Sequence, residues 1–138
     1  MSRGPENRFI SAIHSLLPPV SEFYRMKNHN EYNGGIPDCW YSARLDLWIE
    51  YKYVELPARP DTMITIIDGK KPSLSKLQQE WITSRVHEGR NVWVIVGSNI
   101  GGLIERQGWG PGRWRADDFK AQCVPRHQIA KAIKEFCR

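Results

Sequence analysis

Asp38, Glu50 and Lys52 are the residues whose types and spacing could do chemistry. Asp38 follows a proline, eleven residues separate it from Glu50, and only Tyr51 stands between Glu50 and Lys52. Two carboxylates offer hard oxygen ligands, and Mg²⁺ takes such ligands while keeping several of its waters. The backbone carbonyl of Tyr51 can complete the protein's share. The Lys52 ammonium can orient or deprotonate a water, or stabilise charge on a phosphate. Together these groups supply what phosphodiester hydrolysis needs, namely a nucleophilic water, charge neutralisation at the phosphate and help for the leaving oxygen. Each also has a plain reading. Asp38 can be a turn residue after Pro37, and Glu50 and Lys52 a weak ion pair on a solvated strand face. Asp46 shares that face and is a further candidate ligand.

The elements that must position these residues follow from hydrophobic spacing. In residues 44–54, Leu45, Leu47, Ile49, Tyr51 and Tyr53 fall on one face of a strand, and Asp46, Trp48, Glu50, Lys52 and Val54 on the other. Upstream, Phe9, Ile10, Ile13, Leu16 and Leu17 predict a helix over residues 5–17, opened by Pro5 and stopped by Pro18 and Pro19. Glu6 lies in its first turn, where the helix dipole favours a carboxylate. Short strands are expected near residues 23–26 and 36–41, with a turn at Asn33-Gly34-Gly35 between them. Downstream come a third apolar run at 63–67 and a helix over 74–88. That helix has a stripe of Leu74, Leu77, Trp81 and Ile82, and Gly89 stops it. Residues 92–96 are continuously apolar, as in a strand buried on both faces. Residues 97–116 read as a long loop or irregular hairpin. A last helix over 125–137 turns Ile129, Ala132, Ile133 and Phe136 to the core. The order predicts an α/β fold, a single-domain mixed β-sheet flanked by helices.

The 138 residues suit one domain, and 20 Lys plus Arg against 15 Asp plus Glu give a net charge of +5. That favours an anionic partner, nucleic acid first and a membrane surface second. Cysteines at 39, 123 and 137 form no CxxC pair, which argues against a disulfide framework or a zinc ribbon, and Cys123 with His127 is at most half a zinc site. No apolar run reaches the ~20 residues of a membrane span, and no leader-like apolar stretch opens the chain, so a soluble intracellular protein is expected. Among the histidines (14, 29, 87 and 127) no ligand spacing occurs, and His29 beside the Asn-rich loop is the one to watch. Arg106, Trp109, Arg113, Trp114 and Arg115 could clamp phosphates and stack on a base, or form a structured loop whose Trp residues pack on the core. Lys70 and Lys71 could touch phosphate or be a solvated turn, and Ser75 could contact DNA or cap the helix.

Pro37-Asp38 followed by Glu50-Tyr51-Lys52 resembles the signature of the PD-(D/E)XK nuclease superfamily, whose core is restriction-endonuclease-like. The element order is similar over about residues 5–97, which leaves 98–138 as an elaboration that could contact DNA. Glu6, the Leu74-Ser75-Lys76-Leu77-Gln78 run and the Gly34-Gly35-Ile36-Pro37-Asp38 approach resemble features of the resolvase-like and VRR-NUC branches. Size and motif order are also similar to small phage nucleases, homing endonucleases among them. The resemblance implies a DNA endonuclease that needs Mg²⁺, with Mn²⁺ able to substitute. Asp38, Glu50, the Tyr51 carbonyl and an accessory Glu6 would bind the metal, Lys52 would serve the nucleophile and phosphate, and Gln78 would support the site. Its substrate would be double-stranded DNA, cut at a specific site as by a homing or restriction enzyme, or nicked. The alternatives are a structure-specific Holliday-junction resolvase and a nucleic-acid-binding module without catalysis. One site per chain means that cutting both strands calls for a homodimer. Such an enzyme would act in the cytoplasm, in the host cell if phage-encoded.

Overall fold

A computed structural model describes residues 4–28 and 34–138, so His29 and Asn33 lie outside the described residues. The first apolar stripe forms α1 (Pro5–Ser15), which buries Phe9, Ile10 and Ile13. The helix stops earlier than its apolar spacing suggests. Leu16 and Leu17 donate backbone hydrogen bonds three residues back, to Ile13 and His14. The tightened turn swings Leu16 out, 51% exposed, while Leu17 stays buried.

Three strands follow, β1 (Tyr24–Lys27), β2 (Cys39–Ser42) and β3 (Asp46–Tyr53). Next come β4 (Met63–Thr65), α2 (Lys76–His87), β5 (Val92–Ser98), β6 (Gly101–Arg106), β7 (Arg113–Arg115), α3 (Ala116–Gln122) and α4 (Arg126–Cys137). The main sheet has the order β1-β2-β3-β5-β6. It is mixed, because β3 and β5 run parallel while the other pairs are antiparallel. A parallel pair needs a crossover, and here α2 lies in the connection. The interior strand β5, with sequence Val-Trp-Val-Ile-Val-Gly-Ser, is buried at every position.

Two apolar cores lie on opposite faces of this sheet. On one, Leu47, Ile49 and Tyr51 of β3 pack with Phe9, Ile10 and Ile13 of α1 and with Ile129 and Ile133 of α4. The helix approaches closely because Gly97 lacks a side chain, whose Cβ would stand 2.8 Å from the Phe9 ring. On the other face, Val92, Val94 and Val96 pack with Ile82 of α2, Leu74, Trp114 and Phe119.

Three expectations change. Leu77 is 59% exposed and off the core stripe, because α2 begins only at Lys76 and turns Trp81, Ile82 and Val86 inward instead. The 63–67 run yields a three-residue strand that pairs with β7 outside the main sheet. Residues 97–116 take the hairpin alternative over the loop, and in regular form, since β6 pairs with β5 across Asn99-Ile100. Residues 98–138 thus supply an edge strand and a helix packed on α1, besides β7 and α3. Among the described residues, no helix is long and apolar enough to cross a membrane.

Candidate active site

β2 and β3 pair from Cys39↔Ile49 to Ser42↔Asp46. Asp38 lies just beyond the pairing, at the end where β3 continues to Glu50 and Lys52. The Tyr51 amide has no β2 partner there and donates instead to Asp38 Oδ2, at 2.9 Å. In a strand, the N–H and C=O of one residue leave by the same edge, so the Tyr51 carbonyl faces the Asp38 side too. Spacing alone suggested Asp38 next to β3, and this hydrogen bond fixes it there.

Glu50 is 1% exposed. Its Oε2 receives Lys52 Nζ at 3.2 Å and Gln78 Nε2 at 3.1 Å. Its Oε1 is buried and has no hydrogen-bond partner. Burial first, and then the Asp38 charge, push the Glu50 carboxyl well above the usual carboxylate range, against the pull of Lys52. The solvated-face reading of Glu50 and Lys52 is therefore replaced by a buried, crowded carboxyl group beside Lys52.

Glu6 comes from α1 to the same place. Its pKa rises to about 7, chiefly through burial and then through Asp38, with Lys52 and Lys27 opposing. Lys27, which donates to Asn7 Oδ1 at 2.6 Å, is a residue that sequence reasoning missed. No sequence signal pointed to it, because its place follows from the β1–β2 register, which pairs Lys27 with Cys39, the neighbour of Asp38.

Gln78 reaches Glu50 from the first turn of α2. Ser75 is the N-cap, so its capping alternative holds. Ser75 Oγ accepts the Gln78 amide at 3.1 Å, and Gln78 Oε1 accepts the Ser75 amide at 2.9 Å. This is a capping box.

Asp46 does not join the cluster. It sits four residues before Glu50, roughly 13 Å along the strand, and accepts a hydrogen bond from Ser42 Oγ. Trp114 is only 5% exposed and packs edge-on to Phe119, so it cannot stack on a base. Its neighbours Arg113 and Arg115 point outward and pair with Asp68 and Asp117. Arg106 lies over the Trp93 ring at 4.2 Å. Lys70 and Lys71 are exposed. The three cysteines are free. Burial pushes the Cys39 thiol up to about 12.

Among the described residues, no three His, Cys, Asp or Glu side chains are grouped to hold an ion. The cluster offers two carboxylates, and the orphaned Glu50 Oε1 is an oxygen that burial makes costly unless something binds it. A hard divalent cation fits that donor set, and carbonyl and water oxygens complete it.

No family profile and no curated protein matches the sequence. Among solved structures, the chain is similar to the Holliday junction resolvase Hjc of the archaeal hyperthermophile Archaeoglobus fulgidus. The TM-score is 0.54 at 13% identity, over 95% of this chain and 97% of that one. At that identity the likeness is one of fold. The chain thus shares the mixed-sheet fold of this resolvase over nearly its whole length.

Proposed function

We propose that the chain is a divalent-metal-dependent DNA endonuclease that cuts branched DNA. The observation that carries this reading is the buried, partnerless Glu50 Oε1, flanked by Asp38, Lys52 and Gln78. Asp38, Glu50 and the Tyr51 carbonyl would hold Mg²⁺ or Mn²⁺, with Glu6 behind them as an accessory carboxylate. A bound ion would supply Lewis-acid activation of the phosphate and of the attacking water. Lys52 is placed to steady charge on the phosphate and to orient the water. Gln78 orients Glu50. Lys70 and Lys71, exposed on the turn before α2, are assigned to backbone phosphate, which positions the duplex without reading sequence.

The sequence put site-specific cleavage of homing or restriction type first, with junction resolution as the alternative. The likeness to a junction resolvase favours the alternative. Symmetric cutting of a branch needs two sites, and a homodimer supplies them. The β1–β2 end of the sheet offers a surface for the second copy. Tyr24 and Met26 are 48% and 46% exposed there, and Trp40 lies edge-on to Tyr24. Aromatic residues and Met are enriched in interface cores.

The test offers a labelled four-way junction and linear duplexes of the same sequences to the protein with Mg²⁺. Paired nicks in the junction, with the duplexes intact, are expected. Cutting at one sequence in both substrates would return the reading to a site-specific enzyme.

A further inference from the structure

The capping box at the start of α2 has a property that a helix cap does not require. A cap accepts Gln or Glu at its third helical position, and the helix dipole would favour Glu. The box in this chain spends Gln78 Oε1 on the Ser75 amide, so the other end of the same side chain is a donor, Nε2, aimed at Glu50 Oε2. An ionised Glu in its place would accept at both ends and donate at neither. With Lys52 also on Oε2, Oε1 is the oxygen left open.

The same turn also seats the approach to Asp38. Gly35 has φ +95, and a Cβ on it would stand 2.7 Å from the Leu77 carbonyl oxygen. A Cβ on Gly34 would lie 3.2 Å from Leu77 Cδ1. Leu77, exposed and outside the core, lies under this glycine pair, three residues before Asp38.

We infer that the first turn of α2 is a clamp that sets the two carboxylates against each other. Ser75 is a positioning residue that acts through Gln78 on Glu50. Gly35 is a second one, which lets the Asp38 segment lie against the backbone of Leu77. The inference rests on the reading of Asp38 and Glu50 as metal ligands.

The test measures Mn²⁺ affinity by titration, together with melting temperature and helical circular dichroism, for wild type and Ser75→Ala, Ser75→Thr, Gln78→Ala, the Ser75→Ala/Gln78→Ala double variant and Gly35→Ala. Groups that orient metal ligands typically carry 10–100-fold in affinity. Ser75→Ala is expected to weaken Mn²⁺ binding roughly tenfold. Ser75→Thr, which keeps a capping hydroxyl, should restore it. In the Gln78→Ala background, Ser75→Ala should have no further effect, as for two residues acting in series. Gly35→Ala should weaken binding at unchanged helix content. Loss of melting temperature alone in Ser75→Ala, or an equal loss of affinity in both backgrounds, would overturn the Ser75 arm. Unchanged affinity in Gly35→Ala would overturn the loop arm. No saturable Mn²⁺ binding by wild type would overturn the reading of the site itself, and the clamp with it.

Discussion

Tyr51 and Glu50 are neighbours on one strand, both essentially inaccessible at 0% and 1% exposure, and their polar atoms are treated in opposite ways. Tyr51 faces the α1/α4 side. Its hydroxyl lies 2.7 Å from that of Tyr41, which lies 2.7 Å from His14 Nε2. The chain of hydrogen bonds is closed. Burial drives His14 down to about 4, so it is neutral and can accept or donate as the network requires. Glu50 faces the opposite side, where one carboxylate oxygen has two donors and the other has none. Buried polar groups are ordinarily satisfied, and an exception costs stability. The difference separates a hydrogen-bonded polar network within the core from a carboxyl group with one oxygen left unsatisfied.

The comparison breaks if its two halves can be exchanged by mutation. Glu50→Gln should lower cleavage at least a hundredfold, since Lewis-acid stabilisation is worth several kcal/mol. In EDTA the same variant should melt higher than wild type. The sign follows from linkage. A carboxyl with a raised folded pKa keeps its proton more tightly when folded, so its ionisation costs stability as pH rises through and above the ordinary carboxylate range. The neutral amide removes that cost, and the gain should grow with pH until Glu50 of the wild type is fully ionised. Scanning calorimetry at several pH values checks it. Tyr51→Phe should do the reverse, losing about 1–3 kcal/mol by breaking a buried hydrogen bond, with junction cleavage unchanged. Urea melts and cleavage rates read both.

Smaller effects sharpen the contrast. His14 has a lowered folded pKa, so the unfolded chain takes up its proton first as pH falls. Stability should therefore drop between about pH 6.5 and about 4. His14→Gln should flatten that slope, as thermal melts across the window would record. Smallest of all is Arg113→Ala. Its pair with Asp68 is solvent-exposed, and exposed ion pairs contribute little, so the melting temperature should not move measurably.

Much of this was legible in the sequence, for identifiable reasons. The period-two alternation of residues 46–53 placed Glu50 and Lys52 on one face, and a helix cap was one of the two readings open to Ser75. What the strand pattern could not reveal was that this face is buried, because that depends on α2, 28 residues further along, bringing Gln78 over Glu50. Within residues 97–116, read as a long loop or irregular hairpin, the glycine at 102 lets β6 pack closely. A Cβ on Gly102 would stand 3.0 Å from both Phe9 and Ile129. The Arg-Trp-Arg triplet left base stacking and a Trp packed on the core both open, and the alternation of β7 decides for the core by turning Trp114 inward and the arginines outward. Leu77 misled because its apolar character serves the loop before Asp38 and not the core.

The most direct measurement is cleavage of a four-way junction by wild type and Glu50→Gln, each with Mg²⁺, Mn²⁺ or EDTA, with junction binding followed in parallel across salt concentrations. The expected result is cutting by wild type only with a divalent metal, no cutting by Glu50→Gln, and salt-sensitive binding by both. Salt-sensitive binding with no cleavage by wild type under any metal, or cleavage that survives Glu50→Gln, would contradict the assignment of this site as the catalytic metal centre.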